Sequence, residues 1–187
     1  MKTYLILTAA AATLALSTHA EIFSLDTGHA EIGFSVKHMM VSNTKGTFNT
    51  FEGTVDFDLE SNTLKAIEGT IQAASIDTNN EKRDNHLRAE DFFNVEKYPT
   101  ITFKSTTVKK QDASNYEVTG ILNILGQDHT VVLPVTVNGP VDDPHGNKRM
   151  GIESETVLNR RDLGITNSPA AVIGDDVKIS LSMEATR

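Results

Sequence analysis

The residues best equipped for chemistry lie together in RDNHLRAEDFF, from Arg83 to Phe93. Arg83, Asp84 and His86 bring a cation, a carboxylate and an imidazole into one short segment, the ingredients of proton transfer or of a grip on a polar headgroup. On a helix, positions one or two apart do not face each other, so this spacing alone does not aim the three groups at one atom. There is no G-x-S-x-G segment and no thiol to act as nucleophile. These residues therefore read as a charged network that ties a helix to its loops, with Arg160, Arg161 and Asp162 of NRRDLGI as partners. Arg83 and His86 are also the candidates for contact with a ligand headgroup. The competing reading, an enzyme on a hydrophobic substrate, needs His86 to face a lumen beside an acid.

Metal chemistry finds little support. His29, His38, His86, His129 and His145 show neither H-x-H nor H-E-x-x-H spacing, and there is no cysteine. The lack of cysteine also excludes a disulfide framework and an iron–sulfur centre, and no cofactor or metal is expected. Met39 and Met40, next to His38, read as packing groups or as an adaptable pocket mouth.

These groups need a frame, and the frame reads as β-sheet. Ile32, Phe34 and Val36 alternate with Glu31, Ser35 and Lys37, and Phe51, Val55, Phe57 and Leu59 alternate with Glu52, Thr54, Asp56 and Asp58. The same period of two recurs at Ile67 and Ile71, Ile101 and Phe103, Tyr116 to Ile124, Val131 to Val137, and Val177 to Met183. Such strands have one dry face and one wet face, as in an antiparallel sheet. Eight or so of them make a sandwich or a barrel. Gly33, Gly53, Gly69 and Gly120 inside the strands favour tight coiling, which points to a barrel. With no Trp and small residues on the inward face, the interior is expected to be hollow, a tube about 25 Å tall. The exception to strand is one helical segment near residues 79–95, capped by Asp77 or Thr78 and stopped before Pro99, whose Phe92 and Phe93 would plug the barrel's open end.

Residues 1–20 have a Lys2 start, an apolar run from Tyr4 to Leu16 and small residues before Glu21, the layout of a cleaved secretory signal. Residues 21–187 then form a single domain. Nothing after residue 20 is apolar enough to cross a membrane as a helix. The formal charge of −8, without basic clusters, argues against nucleic acid and against docking on anionic lipid.

The succession LDTGHAEIGFSVKH, KGTFNTFEGTVDFD, IDTNNEKRDNHLRAEDFFNVEKYPTITFKS, VTGILNILGQDHTVVLPV and NRRDLGI resembles the YceI family across essentially all of residues 21–187. The resemblance implies an all-β, lipocalin-like, extended antiparallel eight-stranded barrel located in the bacterial periplasm. It also implies a binding protein for polyisoprenoids or other amphiphilic lipids, and a homodimer, for which exposed Val132 and Val157 are the contact candidates. It places Arg83, Asp84 and His86 on the family's helical motif and Asn159, Arg160 and Asp162 on its late polar motif. The expected function is to hold a long apolar molecule, such as an isoprenoid or quinone, for transport, storage or sequestration, without catalysis. The expected ligand contacts are Ile32, Phe34, Phe51, Phe57, Ile71, Arg83, His86, Phe92, Phe103, Leu122 and Met183. A barrel packed solid would make the chain an interaction protein instead.

Overall fold

The computed structural model describes residues 20–187. The expected export signal therefore lies outside the described residues, apart from Ala20, where the first strand begins. In chain order the elements are β1 (Ala20–His38), β2 (Ser42–Phe48), β3 (Phe51–Asp58), β4 (Thr63–Gln72), β5 (Ile76–Asp77), α1 (Glu81–Arg88), β6 (Thr100–Lys110), β7 (Asn115–Ile124), β8 (Gln127–Asp142), β9 (Lys148–Asn159) and β10 (Ile173–Thr186). Neighbouring strands pair antiparallel, and β10 pairs with β1 to close the sheet.

The ten strands follow eight paths around the wall. β2 and β3 run along the same edge of β1, with Ile32 opposite Phe48 and Glu21 opposite Phe57. Between them, Asn49 and Thr50 interrupt the line near the β1 irregularity from Asp26 to Ala30. β4 and β5 make the next path, broken by a short 3-10 turn, Ala73–Ser75. The result is the expected closed eight-stranded antiparallel barrel, with a kink where two of its strands are split.

Packing divides the interior into two ends. At the first, Phe23, Val55, Phe57, Leu64, Val118, Met150 and Ala185 pack together, each almost wholly buried. At the second, Ile32, Phe48, Ile76, Ile101 and Ile124 gather beneath α1 and the following turns, with Leu87, Phe93, Leu163 and Ile165 against them. The expected tube running the full height of the barrel is thus corrected: one end is filled. Glycine contributes less empty space than expected as well. A Cβ at Gly120 would lie 2.4 Å from Phe103 Cζ, and one at Gly46 would lie 2.5 Å from Phe34 Cζ, so aromatic rings already cover both backbones.

The helix is shorter than the sequence suggested. It runs from Glu81 to Arg88, and Asn80 rather than Asp77 or Thr78 caps it, accepting from the Arg83 amide. Asp77 instead accepts from the Asn79 amide at 2.8 Å, stabilising the turn that leads in. After Ala89 the chain continues as turns to Pro99.

Candidate functional site: an apolar cavity under the helical insert

A cavity of about 550 Å³ occupies the barrel below α1, within the range of roughly 300–1,000 Å³ usual for small-molecule sites. Each strand presents alternate residues to it, as the period of two demands: Ile32, Phe34 and Val36 from β1, and Val177, Ile179, Leu181 and Met183 from β10. β8 supplies Val131, Leu133 and Val135, and β9 supplies Ile152, Ser154, Thr156 and Leu158. The wall is overwhelmingly apolar. Ile71, Phe103 and Leu122 line it, and Arg83, His86, Phe92 and Phe93 reach it from the insert. Two expected contacts do not line it. Phe57 belongs to the packed end, 1% exposed, because its position on β3 lies beyond Val55 and away from the helix. Phe51 packs against the cluster beneath the insert without bordering the cavity.

The charged groups of the insert act on protein atoms. Arg83 Nε donates to Thr78 Oγ1 at 2.7 Å, and one of its terminal nitrogens donates to the Thr78 carbonyl at 2.8 Å. Buried Asp84 accepts from the Thr78 amide at 2.9 Å and from the Thr78 hydroxyl. Thr78 is thereby held from both sides, which fixes the entry into α1. Arg88 reaches back to the carbonyls of Ala74 and Ile76, each at 2.7 Å. These contacts are the charged network foreseen for the segment, but its partners are Thr78, directly after β5, and the carbonyls of Ala74 and Ile76 rather than Arg160 to Asp162.

His86 has a different environment. Its ring stands edge-on to Phe92, centroids 4.9 Å apart, while Nε2 lies 2.9 Å from Asp91 Oδ2. The Asn167 side-chain amide donates to the same carboxylate at 2.7 Å, joining the insert to the loop after β9. His86 first, then Asn167, hold the Asp91 carboxyl below its usual range. Both side chains are largely exposed, so the pair sits on the rim of the cavity rather than inside it. The geometry is that of a polar tie across the mouth.

Arg160 is the residue whose role the sequence did not disclose. It is 3% exposed and donates to the carbonyls of Gly174, Ile165, Asn167, Ser168 and Ile173 at 2.7–3.0 Å, with Asp175 at 2.9 Å. The rigid fork of five N–H groups is fully engaged in shaping residues 160–173, which close one side of the mouth. Burial, then the neighbouring Arg161, pushes its pKa down. Partners that are backbone carbonyls have no side-chain signature, which is why only the structure reveals them.

Two further groupings fall outside the cavity. Met39 and Met40 form an exposed tip with left-handed φ of 48° and 60°, beyond the mouth rather than lining it. Asp26, His29 and Glu184 bring ligand-type atoms within 4.8 Å of one another. Arg149 Nη1 contacts both Asp26 and Glu184, so a guanidinium already occupies the position between the two carboxylates and offsets part of their charge. Among the described residues no helix is long and apolar enough to cross a membrane.

The YceI-like domain model matches residues 23–185, nearly the whole barrel. The chain belongs to the YceI-like family. A family relative from Pectobacterium atrosepticum, a UPF0312 protein, is 39% identical over 167 residues, covering 88% of this chain and 85% of that one. The crystal structure of the Campylobacter jejuni YceI protein superposes with a TM-score of 0.75 at 33% identity, covering 81% of this chain and 89% of that one. A domain from Saccharophagus degradans, described as polyisoprenoid-binding and implicated in plant cell wall breakdown, shares the fold with a TM-score of 0.67 at 14% identity, covering 87% and 97%.

Proposed function

We propose that this chain is an exported, periplasmic binding protein that encloses a long apolar or amphiphilic molecule, a polyisoprenoid, quinone or similar lipid, for transport, storage or sequestration. The observation that carries this reading is the apolar cavity of about 550 Å³ beneath the insert. Burial of about 400 Å² of hydrocarbon there is worth roughly 10 kcal/mol before association costs, so no charged site is required for affinity. The polyisoprenoid-binding description of the Saccharophagus degradans domain supports the same class of guest for the shared barrel. Ile32, Phe34, Ile71, Phe92, Phe103, Leu122 and Met183 are the proposed contacts, with Arg83 and His86 at the rim. The signal segment 1–20 would be removed, leaving 21–187 as the working domain, and Val132 and Val157 on the outer wall are exposed where a second copy would dock. Binding rather than catalysis is favoured because Arg83 and Asp84 are engaged with Thr78, and because His86, although beside the Asp91 carboxylate, sits with it on the exposed rim rather than facing the lumen.

The test is native mass spectrometry and solvent extraction of the full chain purified from its own host, beside an Ile179→Trp variant whose indole projects into the cavity and obstructs it. A lipid carried by the wild type and missing from a folded variant is the expected result. Wild-type protein that is repeatedly empty and takes up no lipid overturns it.

A further inference from the structure

Ser154 is a polar atom in a place that rejects polarity. It is 5% exposed, and its Oγ has no hydrogen-bond partner among the described residues. A buried hydroxyl without a partner costs about 1–3 kcal/mol, so such groups are rare unless something absent from the chain itself completes them. Ser154 borders the cavity, and its position along β9 sets its depth. The preceding inward residue, Ile152, belongs to the packed end, and the following inward residues, Thr156 and Leu158, rise along the cavity wall. Ser154 therefore stands at the floor, opposite Leu181 of β10. It also stands where the β8–β9 ladder stops, since the pairing runs from Asp142 with Lys148 to Thr136 with Glu153 and β9 beyond that point pairs with β10.

We propose that the floor of the cavity is a polar subsite, in which the Ser154 hydroxyl hydrogen-bonds an uncharged oxygen- or amide-bearing terminus of the guest, whose hydrocarbon then extends towards the mouth. This rests on the binding reading above and narrows it to a class of ligand and a direction of entry. An ionised terminus does not fit the floor. The other charged or titratable groups that border the cavity, Lys37, His38, Glu52, Glu68, Arg83 and His86, lie away from Ser154, all of them on exposed positions, and the Arg160 donors are all engaged by carbonyls and Asp175. An ion buried at Ser154 would face Ile152, Leu181 and Val135 with no counter-charge, a loss of several kcal/mol. A neutral alcohol, amide or carbonyl loses far less and gains a bond in a water-poor site. Thr156, two residues nearer the mouth, offers a second hydroxyl on the same wall about 6–7 Å away along the strand.

The experiment is displacement of an environment-sensitive lipophilic dye from the full-length protein. The competitors are a primary alcohol, a primary amide, the plain hydrocarbon and the phosphate monoester of one chain length. Wild type, Ser154→Ala and Ser154→Val are compared. The wild type is expected to prefer alcohol and amide over hydrocarbon by roughly three- to tenfold, and Ser154→Ala to abolish that preference. Hydrocarbon affinity stays the same or rises in Ser154→Val, and melting temperatures of both variants match or exceed that of the wild type. An alcohol preference that survives in Ser154→Ala, or no preference in the wild type because a water already satisfies the hydroxyl, overturns the subsite and leaves the binding reading standing. Phosphate ester favoured through Ser154 overturns the neutral class. Failure of every competitor and of the dye to bind the wild type removes the binding reading itself.

Discussion

Phe93 meets Phe48 edge-on, with ring centroids 5.8 Å apart and planes at 86°. Phe48 in turn tilts against Phe34 at 5.9 Å, so the insert touches the barrel wall through a chain of three aromatic rings. Edge-to-face pairs add about 0.5–1.5 kcal/mol beyond area burial. Phe93→Ala is expected to lower stability by about 1–3 kcal/mol in urea unfolding and to speed release of bound dye. Unchanged unfolding together with unchanged release would show that this contact does not secure the insert.

Arg160 holds five backbone carbonyls, sharing only that of Ser168 with a second side-chain donor, Arg161. Arg160→Ala is expected to cost about 3 kcal/mol or more, and Arg160→Lys to recover little of it, because three rotatable ammonium donors cannot reproduce a planar fork. Hydrogen exchange of amides between 160 and 173 reports directly on the loop. Protection that stays at wild-type level in Arg160→Lys would contradict this account.

Much of the fold was legible in advance because most inward positions are uniformly apolar. Val177, Ile179, Leu181 and Met183 all border the cavity, as their alternation suggests. β9 escaped because its inward row is Ile152, Ser154, Thr156 and Leu158, and two hydroxyls in the middle erase the apolar signal. The residues that hid the strand are thus the polar points of the cavity wall. Phe57 was placed at the ligand because periodicity gives a residue's face but not its height in the barrel. Thr78 was read only as a candidate cap, because the charges of Arg83 and Asp84 pointed to the charged groups of NRRDLGI as partners rather than to a neutral threonine.

Asp84 is expected to be structural. Asp84→Ala leaves the Thr78 amide and hydroxyl without their acceptor, a loss of about 1–3 kcal/mol. Exchange of helix amides from Glu81 to Arg88 should rise in the variant while dye binding, corrected for the folded fraction, holds. A binding defect with intact helix protection would instead put Asp84 in contact with the guest.

Asp58 gives the barrel a defined acid response. Ser61, chiefly through its backbone N–H at 3.0 Å, and Lys65 hold its pKa down at about 2, from an ordinary 3.8. A depressed folded pKa contributes stability that is complete above the unfolded value and is lost as pH falls through the folded one. Between pH 4 and 2 the wild type should therefore lose melting temperature more steeply than Asp58→Asn. Parallel melting curves for the two proteins across that window would refute the assignment.

The packed end around Phe23, Leu64 and Met150 has a consequence for traffic. A vessel sealed at its base would load and unload along the same path in opposite directions. Under the proposed binding role, a donor and an acceptor of the guest would both approach the face framed by α1 and residues 160–173. Handover would then be sequential, its tempo set by how readily that frame gives way.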